Sequence, residues 1–150
     1  MSQRPRLGPA ETVLWNKFID GNKGVFTKFE YDFRLLPSEK IVKKGEERYP
    51  HDWDMLTAPR IDVIATKPEG TKTIIEVRPS ADFDAIARVE TYKILYTLFT
   101  EGDLDIKKAI VCYTISKNTR AICNLLDIKV FQVPQEKVTQ PSLFKPSQFK

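Results

Sequence analysis

Two short runs constrain this chain most: "RIDVIATKP" (60–68) and "KTIIEVRP" (72–79), separated only by "EGT". Both are rich in β-branched residues, both end at proline, and the link contains Gly70, so they read as two strands of a hairpin. Downstream, "KKAIVCYTI" is a near-continuous apolar run of the kind buried on both faces of a sheet. Such a strand needs a layer above it and a layer below it.

The flanking segments supply those layers. "GPAETVLWNKFID" repeats Val13, Leu14, Phe18 and Ile19 at helical spacing, opens near Pro9 and stops at Gly21. "GVFTKFEYDFRLL" alternates and is aromatic, which predicts a strand from Val25 to Leu36. From Ala81 to Phe99, Ile86, Val89, Tyr92, Tyr96 and Phe99 form one helical stripe, widened by Ala85, Leu95 and Leu98. Ser80 supplies its N-cap, and Asp82 and Asp84 add acids near the positive end of the dipole. "KNTRAICNLLDI" reads as a short helix and "KVFQV" as a last strand. The order helix, strand, strand, strand, helix, strand, helix, strand is α/β: an antiparallel meander, then helical crossovers. One domain is expected over residues 1–133, with a polar tail over 134–150.

Composition narrows the chemistry. No apolar run approaches the roughly 20 residues of a membrane span, and the N-terminus has no long apolar segment, so a cytosolic protein is expected. Cys112 and Cys123 fit no disulfide or metal spacing and read as core residues. With one histidine, His51, a Ser-His-Asp triad or a multi-His zinc site has little to work with. Catalysis would rest on carboxylates and cations. The excess of 24 Lys and Arg over 20 Asp and Glu is compatible with a polyanionic partner. The polar stretch from Pro37 to Pro59 carries Lys40, Lys43, Lys44 and Arg48 ahead of Tyr49 and Trp53. It is either a solvated loop or a nucleic-acid contact in which Lys43 and Lys44 meet phosphates and the aromatics stack on bases.

The hairpin carries the sharpest constellation. Counting back from Gly70, Asp62 and Glu76 fall close to opposite one another, and Arg78 shares the face of Glu76 while Val77 points into the other layer. Two carboxylates that close need a proton, a cation or a metal between them. Hard oxygen donors suit Mg²⁺ or Mn²⁺, which polarises a phosphodiester and lowers the pKa of a bound water. The bland alternative is a structural ion pair across the hairpin.

"RIDVIA", then after a turn "IIEVRP", then a helix, resembles the PD-(D/E)xK nuclease superfamily, with its restriction-endonuclease-like αβββαβ core of mixed sheet and flanking helices. The resemblance covers about Pro9 to Tyr113. It implies a metal-dependent endo- or exonuclease that hydrolyses phosphodiester bonds in DNA, with Asp62, Glu76 and Arg78 as the catalytic set. It also implies that Glu11, in "PAETVLW", joins Asp62 and Glu76 at the metal. "RVETY", Arg88 to Tyr92, is similar to the Gln-hydrophobic-x-x-Tyr motif of the RecB-like branch, with Arg in place of Gln, and would meet the nucleic-acid backbone. The family's lysine is Arg78 here. Arginine keeps the charge but stays protonated and cannot act as a base. This leaves a second reading: a catalytically inactive module of the same fold, binding DNA or serving a viral particle or DNA-processing complex, with Phe144 and Phe149 in the tail as anchors for a partner or a homodimer.

Overall fold

The computed structural model describes residues 7–36, 58–100 and 105–135. The elements follow the expected order, with two two-residue strands added. They are α1 (Pro9–Gly21), β1 (Lys28–Arg34), β2 (Arg60–Thr66), β3 (Lys72–Val77), β4 (Ser80–Ala81), α2 (Phe83–Thr100), β5 (Lys107–Cys112), β6 (Thr114–Ile115), α3 (Lys117–Leu125) and β7 (Ile128–Gln132). The main sheet has the order β1-β2-β3-β5-β7, antiparallel from β1 to β3 and parallel from β3 to β7. This is the αβββαβ core with a mixed sheet. None of the described helices is long and apolar enough to cross a membrane.

Pro9, whose missing N–H costs nothing in a first turn, opens α1. Its buried face is Leu14, Trp15 and Phe18, whereas Val13, expected on that face, is 51% exposed. The helix is rotated to bury Trp15, which brings far more apolar area out of water than a valine would. Trp15 packs edge-on to Phe29 and Tyr31, and its indole N–H donates to the Tyr31 hydroxyl at 3.3 Å.

β1 is shorter than the predicted strand. Its pairing with β2 skips Asp32, whose φ of 51° lies in the left-handed region, and resumes at Phe33↔Ile61. The hairpin turn between β2 and β3 closes as expected: Gly70, at φ 96°, donates to the Lys67 carbonyl at 2.8 Å. In β3 the alternation is strict, Ile75 and Val77 joining the α1 core and Ile74 the core under α2.

On the second face, Ile86, Val89, Tyr92, Tyr96 and Phe99 of α2 are all buried, as the stripe predicts, but Leu98 is 51% exposed. Asp82 rather than Ser80 caps α2: its Oδ1 accepts from the Ala85 N–H at 2.9 Å. Ser80 instead belongs to β4, paired in parallel with β6. Lys108 donates to Glu90 at 2.5 Å and to the Leu126 carbonyl at 2.7 Å, tying α2 to the end of α3. Cys112 and Cys123 are fully buried, and burial pushes both thiols up, that of Cys112 to about 11. Unreactive core cysteines are what the sequence predicts.

Candidate active site

The site forms where the sheet changes from antiparallel to parallel, at the carboxyl end of β3. One step beyond Val63↔Ile75, the β2–β3 register sets Asp62 opposite Glu76. By alternation both side chains lie on the α2 face, with Ile64 and Ile74. The Val77 N–H donates to Asp62 Oδ2 at 3.1 Å, which fixes the first carboxylate on the neighbouring strand. β5 fixes the backbone just beyond: Arg78 N–H donates to the Val111 carbonyl at 2.9 Å, and Tyr113 N–H to that of Pro79 at 2.9 Å. The following β4–β6 pair turns the chain into α2.

Glu76 is 3% exposed, and its Oε2 is a buried oxygen with no hydrogen-bond partner among the described residues. Burial pushes the Glu76 carboxyl up to about 9, and its hydrogen bond with Asp62 and the charge of Asp62 push in the same direction. The charges of Arg78 and Arg88 pull it down without overcoming burial. At neutral pH this environment favours the protonated form of the Glu76 carboxyl.

Both arginines stand near Glu76 Oε2 but bond elsewhere. Arg78 Nη2 is 4.0 Å from that oxygen and 2.5 Å from Asp84 Oδ2, and its Nη1 lies 3.5 Å from Asp82. Arg88 Nε is 3.9 Å from Glu76 Oε2 and 3.0 Å from the same Asp84 oxygen. Arg88 Nη1 also donates to the Tyr92 hydroxyl at 3.2 Å. Hydrogen bonds from Arg78 and then Arg88 hold the Asp84 carboxyl below the usual range, while burial pushes the Tyr92 hydroxyl up.

The structure thus brings Asp62, Glu76, Arg78, Arg88 and Tyr92 to one place. It does not bring Glu11 there. A methyl group placed on Gly8 would meet Glu11 Oε2 at 2.5 Å, so that carboxylate folds back over the first turn of α1, where the helix dipole favours an acid. α1 also covers the sheet face opposite Glu76. Among the described residues no group of three or more His, Cys, Asp and Glu is placed to hold a metal. Lys43, Lys44, the rest of 37–57, and Phe144 and Phe149 lie outside the described residues. The sequence reading missed Asp84 as a site residue, taking it for a dipole acid. Its place four residues before Arg88 on α2 was the available signal.

The donor set fits a hard divalent ion. Mg²⁺ and Mn²⁺ are commonly held by one or two carboxylates, with water and phosphate oxygens completing the shell, and an unsatisfied buried oxygen beside a second carboxylate offers that start.

The sequence matches no protein-family model and no curated protein. Solved structures do resemble the fold. A crystal structure of a repair endonuclease from Pyrococcus abyssi superposes with a TM-score of 0.54 at 12% identity, over 90% of this chain and 50% of that one. EndoMS in a double-stranded DNA complex gives 0.53 at 12% identity, over 91% and 50%, and apo EndoMS 0.52 at 13%, over 90% and 50%. The fold is nuclease-like. At these identities the likeness is one of fold alone, and this chain spans about half the length of the structures it matches.

Proposed function

We propose that the chain is a metal-dependent nuclease of the PD-(D/E)xK kind that hydrolyses phosphodiester bonds in DNA, with Asp62 and Glu76 holding Mg²⁺ or Mn²⁺. The observation that carries the reading is Glu76 itself: a buried carboxyl with an unsatisfied oxygen, set against a second carboxylate across a hairpin. Such a placement costs folding free energy, and binding a cation is what makes it useful. The fold's likeness to repair endonucleases, one of them in a complex with double-stranded DNA, supports a nucleic-acid partner.

A bound divalent ion would supply Lewis-acid polarisation of the phosphate and a more acidic water. The chain's own residues do the rest. The Val77 N–H keeps Asp62 aimed at the pair, and the apolar cores on either side keep bulk water from Glu76. Arg78 and Arg88, about 4 Å from Glu76 Oε2, offer fixed donors to phosphate oxygens, and Tyr92 orients Arg88. Arg78 stays protonated, so it would hold charge without taking the water's proton, which would pass to a phosphate oxygen.

One observation favours a second reading, the inactive DNA-binding module. Asp84 and Asp82 already engage the Arg78 guanidinium, leaving the lysine position of the motif committed to α2. Cleavage of plasmid and single-stranded DNA with Mn²⁺ separates the two. Loss of cleavage in Asp62→Asn and Glu76→Gln supports the nuclease; no cleavage by the parent protein, with salt-dependent DNA binding retained, supports the module.

A further inference from the structure

At the other end of the same sheet lies a cleft of about 460 Å³, lined by residues that take no part in the carboxylate site. It opens where α1 stops. The helix ends at Gly21, and Asn22 and Phe26 form one wall, while the starts of β3, β5 and β7 form the floor. On the α1 face of those strands the inward positions further along are Ala109 and Val111 in β5 and Phe131 in β7, all packed into the core. The same alternation puts Lys107 and Lys129 at the inward positions nearest the cleft mouth. Lys67, from the hairpin turn, closes the rim.

These three lysines are exposed or half-exposed, and none forms an ion pair with a carboxylate among the described residues. Among the described residues Asp127 is the one acid lining the cleft, while Lys108, the fourth lysine there, is spent on Glu90. Three like charges around one concavity repel, and an anion relieves that repulsion. A bare anion would leave most of the volume empty. Phe26 and Phe131 provide an apolar wall beside the cations, and the volume lies within the range of small-ligand sites.

We infer that this cleft binds a nucleotide unit, its phosphate on Lys67, Lys107 and Lys129 and its sugar and base against Phe26 and Phe131. The ligand is either a free nucleotide or one residue of a nucleic-acid strand. Thr73, on the cleft floor, and Glu76 are three residues apart in β3, roughly 10 Å, with side chains on opposite faces of the sheet. The cleft is therefore a second contact, and it stands whether or not the carboxylate pair cuts.

The test uses the full chain in EDTA, so that no metal occupies the carboxylate pair. Binding of dTMP, inorganic phosphate and a fluorescent single-stranded dT oligonucleotide is measured for the parent protein, for the combined Lys67→Gln, Lys107→Gln, Lys129→Gln variant, and for Glu76→Gln. The lysine variant should lose about tenfold or more in affinity for dTMP or the oligonucleotide, while Glu76→Gln retains it. Loss on the oligonucleotide, with the slope of log affinity against log salt shallower by about 0.7 for the one phosphate no longer neutralised, identifies a strand as the ligand. Loss on dTMP alone identifies a free nucleotide. Parent-like binding by the folded lysine variant overturns the inference, as does inorganic phosphate binding as tightly as dTMP. Because these residues are separate from Asp62 and Glu76, failure here leaves the nuclease reading intact, and failure of cleavage leaves this one intact.

Discussion

Replacing Glu76 with glutamine should make the metal-free protein more stable. Burial, first, and then Asp62 push the Glu76 carboxyl from its ordinary 4.5 to about 9 in the folded state. The folded protein thus binds this proton more tightly than the unfolded chain. The associated stability is fully present below about pH 4.5 and is lost progressively as pH rises toward 9. At pH 7 the unfolded carboxyl has ionised and the folded one has not, a gap of 2.5 units from 4.5, or up to about 3–4 kcal/mol at about 1.4 kcal/mol per unit. Glutamine never ionises, fills nearly the same volume, and its amide can donate to Asp62. Urea unfolding in EDTA should therefore find the two proteins similar near about pH 5 and Glu76→Gln more stable by about 2–3 kcal/mol near about pH 7 to 8. A variant that is no more stable at about pH 8 than at about pH 5, relative to the parent, would refute the claim that Glu76 is held at a folding cost.

Arg78→Lys restores a side chain able to exchange a proton, and cleavage per unit time should rise while DNA affinity changes little; plasmid nicking in Mn²⁺ and filter binding check it. Asp84→Asn releases both arginines from their shared partner, so DNA affinity in EDTA should increase and its salt dependence steepen, measured by fluorescence anisotropy across a salt series. Asp82→Ala removes the cap of α2, with an expected loss of about 1 kcal/mol in urea unfolding. Trp15→Ala opens a hole between α1 and the sheet and should cost about 3–5 kcal/mol by the same assay.

Much of this was legible in the sequence because short-range rules settle it. The hairpin turn at Gly70 fixes the register of β2 against β3, and the register alone sets Asp62 against Glu76. Period-two alternation then assigns Val77 to one layer and Glu76 to the other. The stripe of α2 was readable down to Phe99 because five large residues recur at helical spacing. Features that depend on tertiary choices were not readable. Whether α1 buries Val13 or Trp15 is decided by what Phe29 and Tyr31 offer across the interface. The cap of α2 moved from Ser80 to Asp82 because β6 claims the backbone of Ser80 and Ala81, and a two-residue pairing leaves no periodic signal. Asp84 became the partner of Arg78 only through that turn, which brings the first turn of α2 back over the end of β3. Glu11 satisfied a motif position, yet its carboxylate curls toward Gly8 on the far face of the sheet.

If Asp62 and Glu76 form a divalent-cation site, calorimetric titration of Mn²⁺ into the parent protein and into Glu76→Gln will separate the two. The parent should bind saturably, releasing a proton as the ion displaces the one on Glu76, and the variant should not bind. Equal binding by the two proteins, or none by a folded parent at millimolar Mn²⁺, would contradict the metal-site reading and leave the pair as a proton-linked clasp between two strands.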